Sequence, residues 1–171
     1  SFAFLNSGRL TEGLDEYEWR WKLSGSPSIA RQFLKPLWDG KNGLKGKKIL
    51  VWCEQGVGDT INWSSCLSLV ASQAEHCILE CQEKLVPLLT RSFPNIEVKA
   101  QNRKLDNQRD DFDFQLPMGS LFGHFIPEIS SRCLTPLSNA AVEYTSFNIP
   151  EIRTTVGKII GIFSSQLYFG F

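Results

Sequence analysis

An excess of charge is the first thing missing from this chain. Of its 171 residues, 18 are lysine or arginine and 18 are aspartate or glutamate. A general binder of nucleic acid or of an anionic membrane surface needs surplus positive charge, so neither class is expected. No apolar run approaches the length of a membrane span, and the N-terminus lacks the charged-then-apolar design of an export signal. The expectation is therefore a cytoplasmic protein with no membrane span. Histidine is scarce: His76 and His124 are the only two. A zinc site is a poor reading of so few imidazoles, and no metal is expected. An even cysteine count is also lacking. Cys53, Cys66, Cys77, Cys81 and Cys133 are scattered through apolar segments, which suits reduced thiols in a core rather than a disulfide framework. Cys77 and Cys81 flank "ILE", and strand alternation would set both on one face.

What is present has the balance of a globular protein, 42% apolar and 21% charged, in a length that suits one ordinary domain and a little more. Residues 1–23 have the pattern of two helical pieces broken at Gly8. Asn6-Ser7-Gly8 supplies stop chemistry, Thr11 is positioned to cap the second piece, and Leu10, Leu14, Tyr17 and Trp21 recur at helical spacing. So short a hairpin cannot bury its own apolar face and needs neighbours. Residues 24–47, rich in Gly, Pro, Ser and Lys, have a linker's composition, with Phe33, Leu37 and Trp38 as anchors. From residue 48 to 171, strand patterns alternate with helical ones: "ILVWC", a helix over 59–72, "CILEC", "EKLVPLLTRSF" with Pro87 in its first turn, "IEVKA", "FDFQL" and "KIIGIFSS". The mixed charges of "RKLDNQRDD" have the look of a solvated loop. Such alternation predicts an α/β fold with a Rossmann-like parallel sheet, and ligands where strands give way to helices.

Glu54-Gln55-Gly56-Val57-Gly58-Asp59 falls at such a junction. Its glycines permit positive φ and close approach of a ligand. A dinucleotide fingerprint needs a third glycine where Ile61 stands, and Asp59 would repel a pyrophosphate. A P-loop needs Gly-Lys-Ser/Thr, which is absent. Two roles remain open for Asp59. It can cap the helix by accepting N–H bonds, or serve as a general base or sugar-hydroxyl clamp at the mouth of the sheet. The two roles pull against each other, because N–H bonds to a carboxylate weaken it as a base.

Four blocks in order carry a resemblance: Glu18-Trp19-Arg20-Trp21, Leu37-Trp38-Asp39-Gly40, Glu54 through Ile61, and Phe112-Asp113 followed by Leu116-Pro117-Met118-Gly119-Ser120-Leu121. Together they resemble bacterial tetratricopeptide-repeat proteins whose repeats run into a glycosyltransferase-like domain. The resemblance implies the N-terminal half of a GT-B, heptosyltransferase-like architecture: the last repeat helices at 1–23, a linker at 24–47 and a Rossmann-like half at 48–171. By that analogy Asp59 matches the catalytic base, and Gly56 and Gly58 match the loop that admits the acceptor. Glu54, Gln55 and Ser120 fall on the acceptor side. No cofactor is implied. The nucleotide-sugar donor would need a second domain, the acceptor would be a protein or a glycan, and the repeats could engage a protein partner.

The departures matter too. Ser65 and Cys66 stand where the family often has arginine and tyrosine, and a cation able to organise the cleft is thereby lost. The segment "IIGIFSSQLYFGF" resembles the opening of the family's second half, with Phe163 for tryptophan and Ser165 for glycine. Ending there, the chain is expected to be a fragment without turnover of its own. Trp19 and Trp21 are expected to pack rather than stack on sugar, and Asp39 to sit in a turn beside Gly40. His124 is open between cleft, surface and core, and Ser120 also suits a helix cap. The rival from another class is a non-catalytic repeat-containing interaction module. A dinucleotide oxidoreductase fails on Ile61 and Asp59.

Overall fold

The computed structural model describes residues 3, 4, 7, 9–23 and 30–125. Of these, the residues up to Trp19, with Phe125, belong to one compact unit, and Arg20–His124 form another. The expected strand at 158–165 and Cys133 lie outside the described residues.

In the first unit, α1 spans Leu10–Tyr17 and buries Gly13, Leu14 and Tyr17. Its N-cap is Arg9, with no side-chain cap bond, so Thr11 sits inside the helix rather than capping it. Arg9 pairs with Glu12 at 2.6 Å and lies over the Phe4 ring. Trp19 is 58% exposed, against the expectation that it packs.

The second unit is built on four parallel strands: β1 (Lys48–Trp52), β2 (His76–Cys81), β3 (Glu97–Ala100) and β4 (Phe114–Pro117), in the order β3-β2-β1-β4. This is the Rossmann-like α/β arrangement that the alternating pattern predicts. The first crossover is not one helix but α2 (Val57–Trp63), a 3-10 step over Ser64–Cys66, and α3 (Leu67–Ala71). The break is local chemistry. The hydroxyls of Ser64 and Ser65 donate back to the carbonyls of Ile61 and Asn62, competing with the regular ladder. The second crossover ends in α4 (Val86–Ser92), with Pro87 in its first turn, where the missing N–H costs nothing. Both crossovers step the same way across the sheet, so right-handed connections put both helical segments on one face.

Ile49, Val51, Leu79, Leu67, Val70 and Leu89 are all buried in this unit. On the opposite face Leu50, Trp52, Ile78 and Phe112 form a cluster against which Trp21 and Phe33 pack. Each such aliphatic side chain taken out of water contributes roughly 1.5–3 kcal/mol. Ile61 of α2 is 48% exposed.

Residues 30–47 lie along this second unit. Trp38 N–H donates to Gln115 O, and Gln115 N–H donates to Pro36 O, so the backbone at Leu37 bridges the edge of β4 although its side chain is exposed. Asp39 closes a turn by accepting from the N–H groups of Lys41 and Asn42, which lowers its pKa. Gly40 follows at φ +75, and a Cβ there would stand 2.3 Å from His124 Nδ1. His124 in turn packs against the Trp38 ring. Asp113 of the "FD" block accepts the N–H of Lys48 and so ties the start of β1. Among the described residues, no helix is long and apolar enough to cross a membrane.

Candidate functional site

In a sheet of this order the connections leave β1 in one direction toward β2 and return to its other side at β4. The carboxyl ends of β1 and β4 therefore flank the switch point where open α/β sheets take their ligands. Cys53–Gly56 follows β1 there, and the 3-10 turn Met118–Ser120 follows β4.

The loop after β1 is held along its length. Cys53 N–H donates to Glu80 O at 2.9 Å, and the Cys53 carbonyl accepts from Gln101 Nε2. The Gln55 carbonyl accepts from Gln82 Nε2 at 2.6 Å. The Thr60 hydroxyl lies within reach of Gly56 O (3.0 Å) and Gln82 Oε1 (3.2 Å). Gln82 and Gln101 immediately follow β2 and β3, so the neighbouring strand ends brace this loop.

Asp59 is exposed in the first turn of α2, and its Oδ2 accepts the N–H of Gly56 at 3.2 Å. That is half of a capping box, glycine having no side chain to return the bond. Its Oδ1 has no hydrogen-bond partner among the described residues. Capping and an open carboxylate oxygen thus coexist. The glycines serve differently from the expectation. Gly56 is extended at φ −70, ψ 177, and positive φ among the described glycines occurs at Gly40 and Gly46. A Cβ on Gly58 would meet nothing within 4 Å, whereas one on Gly56 would meet Asp59 Oδ2 at 3.2 Å.

Glu54 and Ser120 are brought together, but beneath the surface, each 6% exposed. Arg20 joins them: its Nη2 donates to Ser120 Oγ at 2.7 Å and to Glu54 Oε1 at 3.2 Å. Glu54 also accepts the N–H of Gly119, at 3.1 Å to Oε1. Burial pushes the Glu54 carboxyl above the ordinary range, and Arg20 and the Gly119 N–H only partly offset it. Trp63 of α2 stacks edge-on against Phe122, 4.9 Å between centroids, so α2 packs beside the segment after β4. Gln55 is half-buried, and Gly56 and Gly58 are exposed.

The sequence reading missed the arginines. Arg31 lies in the linker composition, yet its side chain is 1% exposed and binds Glu80 at 2.6 Å and both oxygens of Asp106. Arg109 also reaches Glu80, and pairs with Asp111 at 2.7 Å. The "RKLDNQRDD" loop is thus partly a buried ion network rather than a wholly solvated one. One signal was available: Glu80 inside the apolar "CILEC" strand requires a cation. The described cysteines Cys53, Cys66, Cys77 and Cys81 are free and buried. Burial pushes the thiols of Cys53, Cys66 and Cys77 up to about 12 and that of Cys81 to about 11, so none is a ready thiolate nucleophile.

Protein FlbA of Caulobacter vibrioides is 31% identical to this chain over 96 residues, covering 54% of this chain and 16% of FlbA. No family model and no solved structure matches the chain.

Proposed function

We propose that this chain is the acceptor-side half of a glycosyltransferase-like protein, of the kind in which tetratricopeptide repeats run into a GT-B, heptosyltransferase-like domain. The observation that supports it is an exposed Asp59, with one carboxylate oxygen open, at the helix start beside the switch point of a Rossmann-like sheet. In this reading Asp59 takes the proton of an acceptor hydroxyl. The freed oxygen forms the new bond to the anomeric carbon, and the bond from that carbon to the donor's phosphate breaks. The electron pair departs on the nucleotide. The donor is held by a second Rossmann-like domain, and the acceptor is a protein or a glycan. Gly56 and Gly58 leave the approach to Asp59 uncrowded. The chain spans 16% of FlbA, so what a longer protein of this kind does is part of the proposal.

The test is release of nucleoside diphosphate from a panel of nucleotide sugars by the longer parent protein, wild type against Asp59→Asn. A general base contributes about 10²–10⁴-fold, so turnover should fall by that much. Unchanged turnover in Asp59→Asn would sink the assignment. A second reading, a non-catalytic interaction module, draws on the burial of Glu54 and Ser120 with Arg20, which withdraws two polar side chains from any acceptor. Failure of the unaltered parent to turn over any donor would favour it.

A further inference from the structure

The two loops at the switch point belong to segments far apart in sequence, and one carboxylate ties them together. Glu54, after β1, accepts the N–H of Gly119, after β4. Arg20 binds Glu54 and Ser120 at once, so its guanidinium is shared by both loops. Trp21, next in the chain, packs 5.9 Å from Trp52 at the end of β1 and keeps this arginine in register with the strand. Two residues beyond Glu54, the Gly56 N–H is the group Asp59 accepts from. The path from Arg20 to Asp59 is therefore a short series of hydrogen bonds and covalent links.

We propose that Arg20 is the positioning residue of the candidate site, fixing the separation of the loops after β1 and β4 and, through Glu54 and Gly56, the placement of Asp59. The inference rests on the reading of Asp59 as the working carboxylate, but its test does not depend on any activity. Methionine at position 20 keeps the bulk of the side chain and removes its donors, so Arg20→Met isolates the guanidinium's role. Lysine keeps the charge and can satisfy one of the two acceptors.

The experiment is residue-resolved amide hydrogen exchange on the whole chain, read at Gly56 and Gly119 and normalised to Leu79 in the interior of β2. In Arg20→Met both loop amides should exchange about tenfold faster relative to Leu79, and Arg20→Lys should bring them back to within about threefold of wild type. Equal acceleration at Gly56, Gly119 and Leu79 would mean that Arg20 supports only overall stability, and would overturn the proposal. So would unchanged loop amides, or a lysine variant no better than methionine. Should Arg20→Met fail to fold, Glu54→Gln is the milder probe. It should speed exchange at Gly119 selectively, and an unaltered Gly119 would again overturn the proposal. A positive exchange result beside an inactive parent protein would leave the positioning role standing and remove the glycosyl-transfer reading. The reverse pattern would do the opposite.

Discussion

Two buried arginines, eleven positions apart, meet their carboxylates on very different terms. Arg31 lies over the sheet, its guanidinium on the Phe33 ring, and spends its donors on Glu80 and on both oxygens of Asp106. Burial works against its charge, yet the hydrogen bonds to Asp106 and Glu80 together outweigh it and raise its pKa. Arg20 lies at the strand ends and reaches Glu54 through a single 3.2 Å contact shared with a serine. There burial wins, and the Glu54 carboxyl is held above its ordinary range. The first cluster is a saturated fastener between chain segments. The second is an incompletely compensated charge where ligands of this fold class bind, the kind of perturbed group that marks functional sites. The contrast shows that a buried ion pair is not informative in itself. How fully its charges are satisfied, and where the sheet places it, carry the meaning.

The sharpest way to break this contrast is Arg31→Met. It strands Asp106 and leaves Glu80 with Arg109 alone, in a site almost closed to water, and removing one partner of a buried pair costs about 3–5 kcal/mol. Urea denaturation should show that loss in the midpoint. A loss below about 1 kcal/mol would mean that water reaches Glu80 and Asp106, and the description of the cluster as saturated would fall.

Arg20→Met should cost less, about 1.5–3 kcal/mol near neutral pH, the range for hydrogen bonds to charged groups. Its cost should shrink on acidification, because a protonated Glu54 no longer needs the guanidinium. Denaturation at pH 7 and near pH 4.5 checks this, and a penalty that does not change with pH would contradict it. Glu54→Gln sharpens the point further. Because Glu54 is held above the ordinary glutamate value, the folded state binds its proton more readily than the unfolded chain does. That contribution is fully present below the unfolded value and is lost as pH rises through the folded one. The glutamine variant should lack this downward slope while staying within about 1 kcal/mol of wild type at neutral pH, since it trades a buried charge for a weaker neutral partner. Glu97 and Asp111 have the opposite sign: hydrogen bonds from Lys99 and His76, and from Arg109, lower their pKa values, so their contribution is lost as pH falls. Both are about 40% exposed and screened by solvent, which keeps that opposing slope small.

How much of this could be read from the chain follows from the range of the forces involved. β1 was legible because "ILVWC" is apolar without interruption, which suits a strand covered on both faces. The turn at Asp39-Gly40 was legible because its hydrogen bonds close within three residues. The start of α1 was misplaced by one capping choice, since Arg9 pairs with Glu12 and the helix opens ahead of Thr11. The break at Ser64–Cys66 was missed although its cause is local: two adjacent hydroxyls bonding back one turn. The arginine clusters were illegible for a different reason. Arg20 and Glu54 are 34 positions apart, and Arg31 and Glu80 are 49, distances over which no periodic pattern carries information. Only the sheet order brings them together. The place of Asp59 at a strand–helix junction was legible, but its surroundings were not.

The smallest expected effect is also the one that separates the two loops. Ser120→Ala removes the acceptor on the β4 side and leaves Glu54 on the β1 side, so Arg20 keeps its charged partner. The loss should be that of one hydrogen bond, about 0.5–1.5 kcal/mol, and it should not depend on pH because serine does not titrate in this range. If Glu54 were the sole anchor of Arg20, the change would be near zero, and the sharing of one guanidinium between both loops would be a geometric accident. If Ser120→Ala cost as much as Arg20→Met, the serine would be the principal partner despite its neutrality. The double variant Arg20→Met/Ser120→Ala decides between these. Residues in direct contact do not add, so its loss should fall short of the sum of the two single losses by about the 0.5–1.5 kcal/mol of the bond they share. Strict additivity would show that Ser120 contributes through contacts other than the arginine.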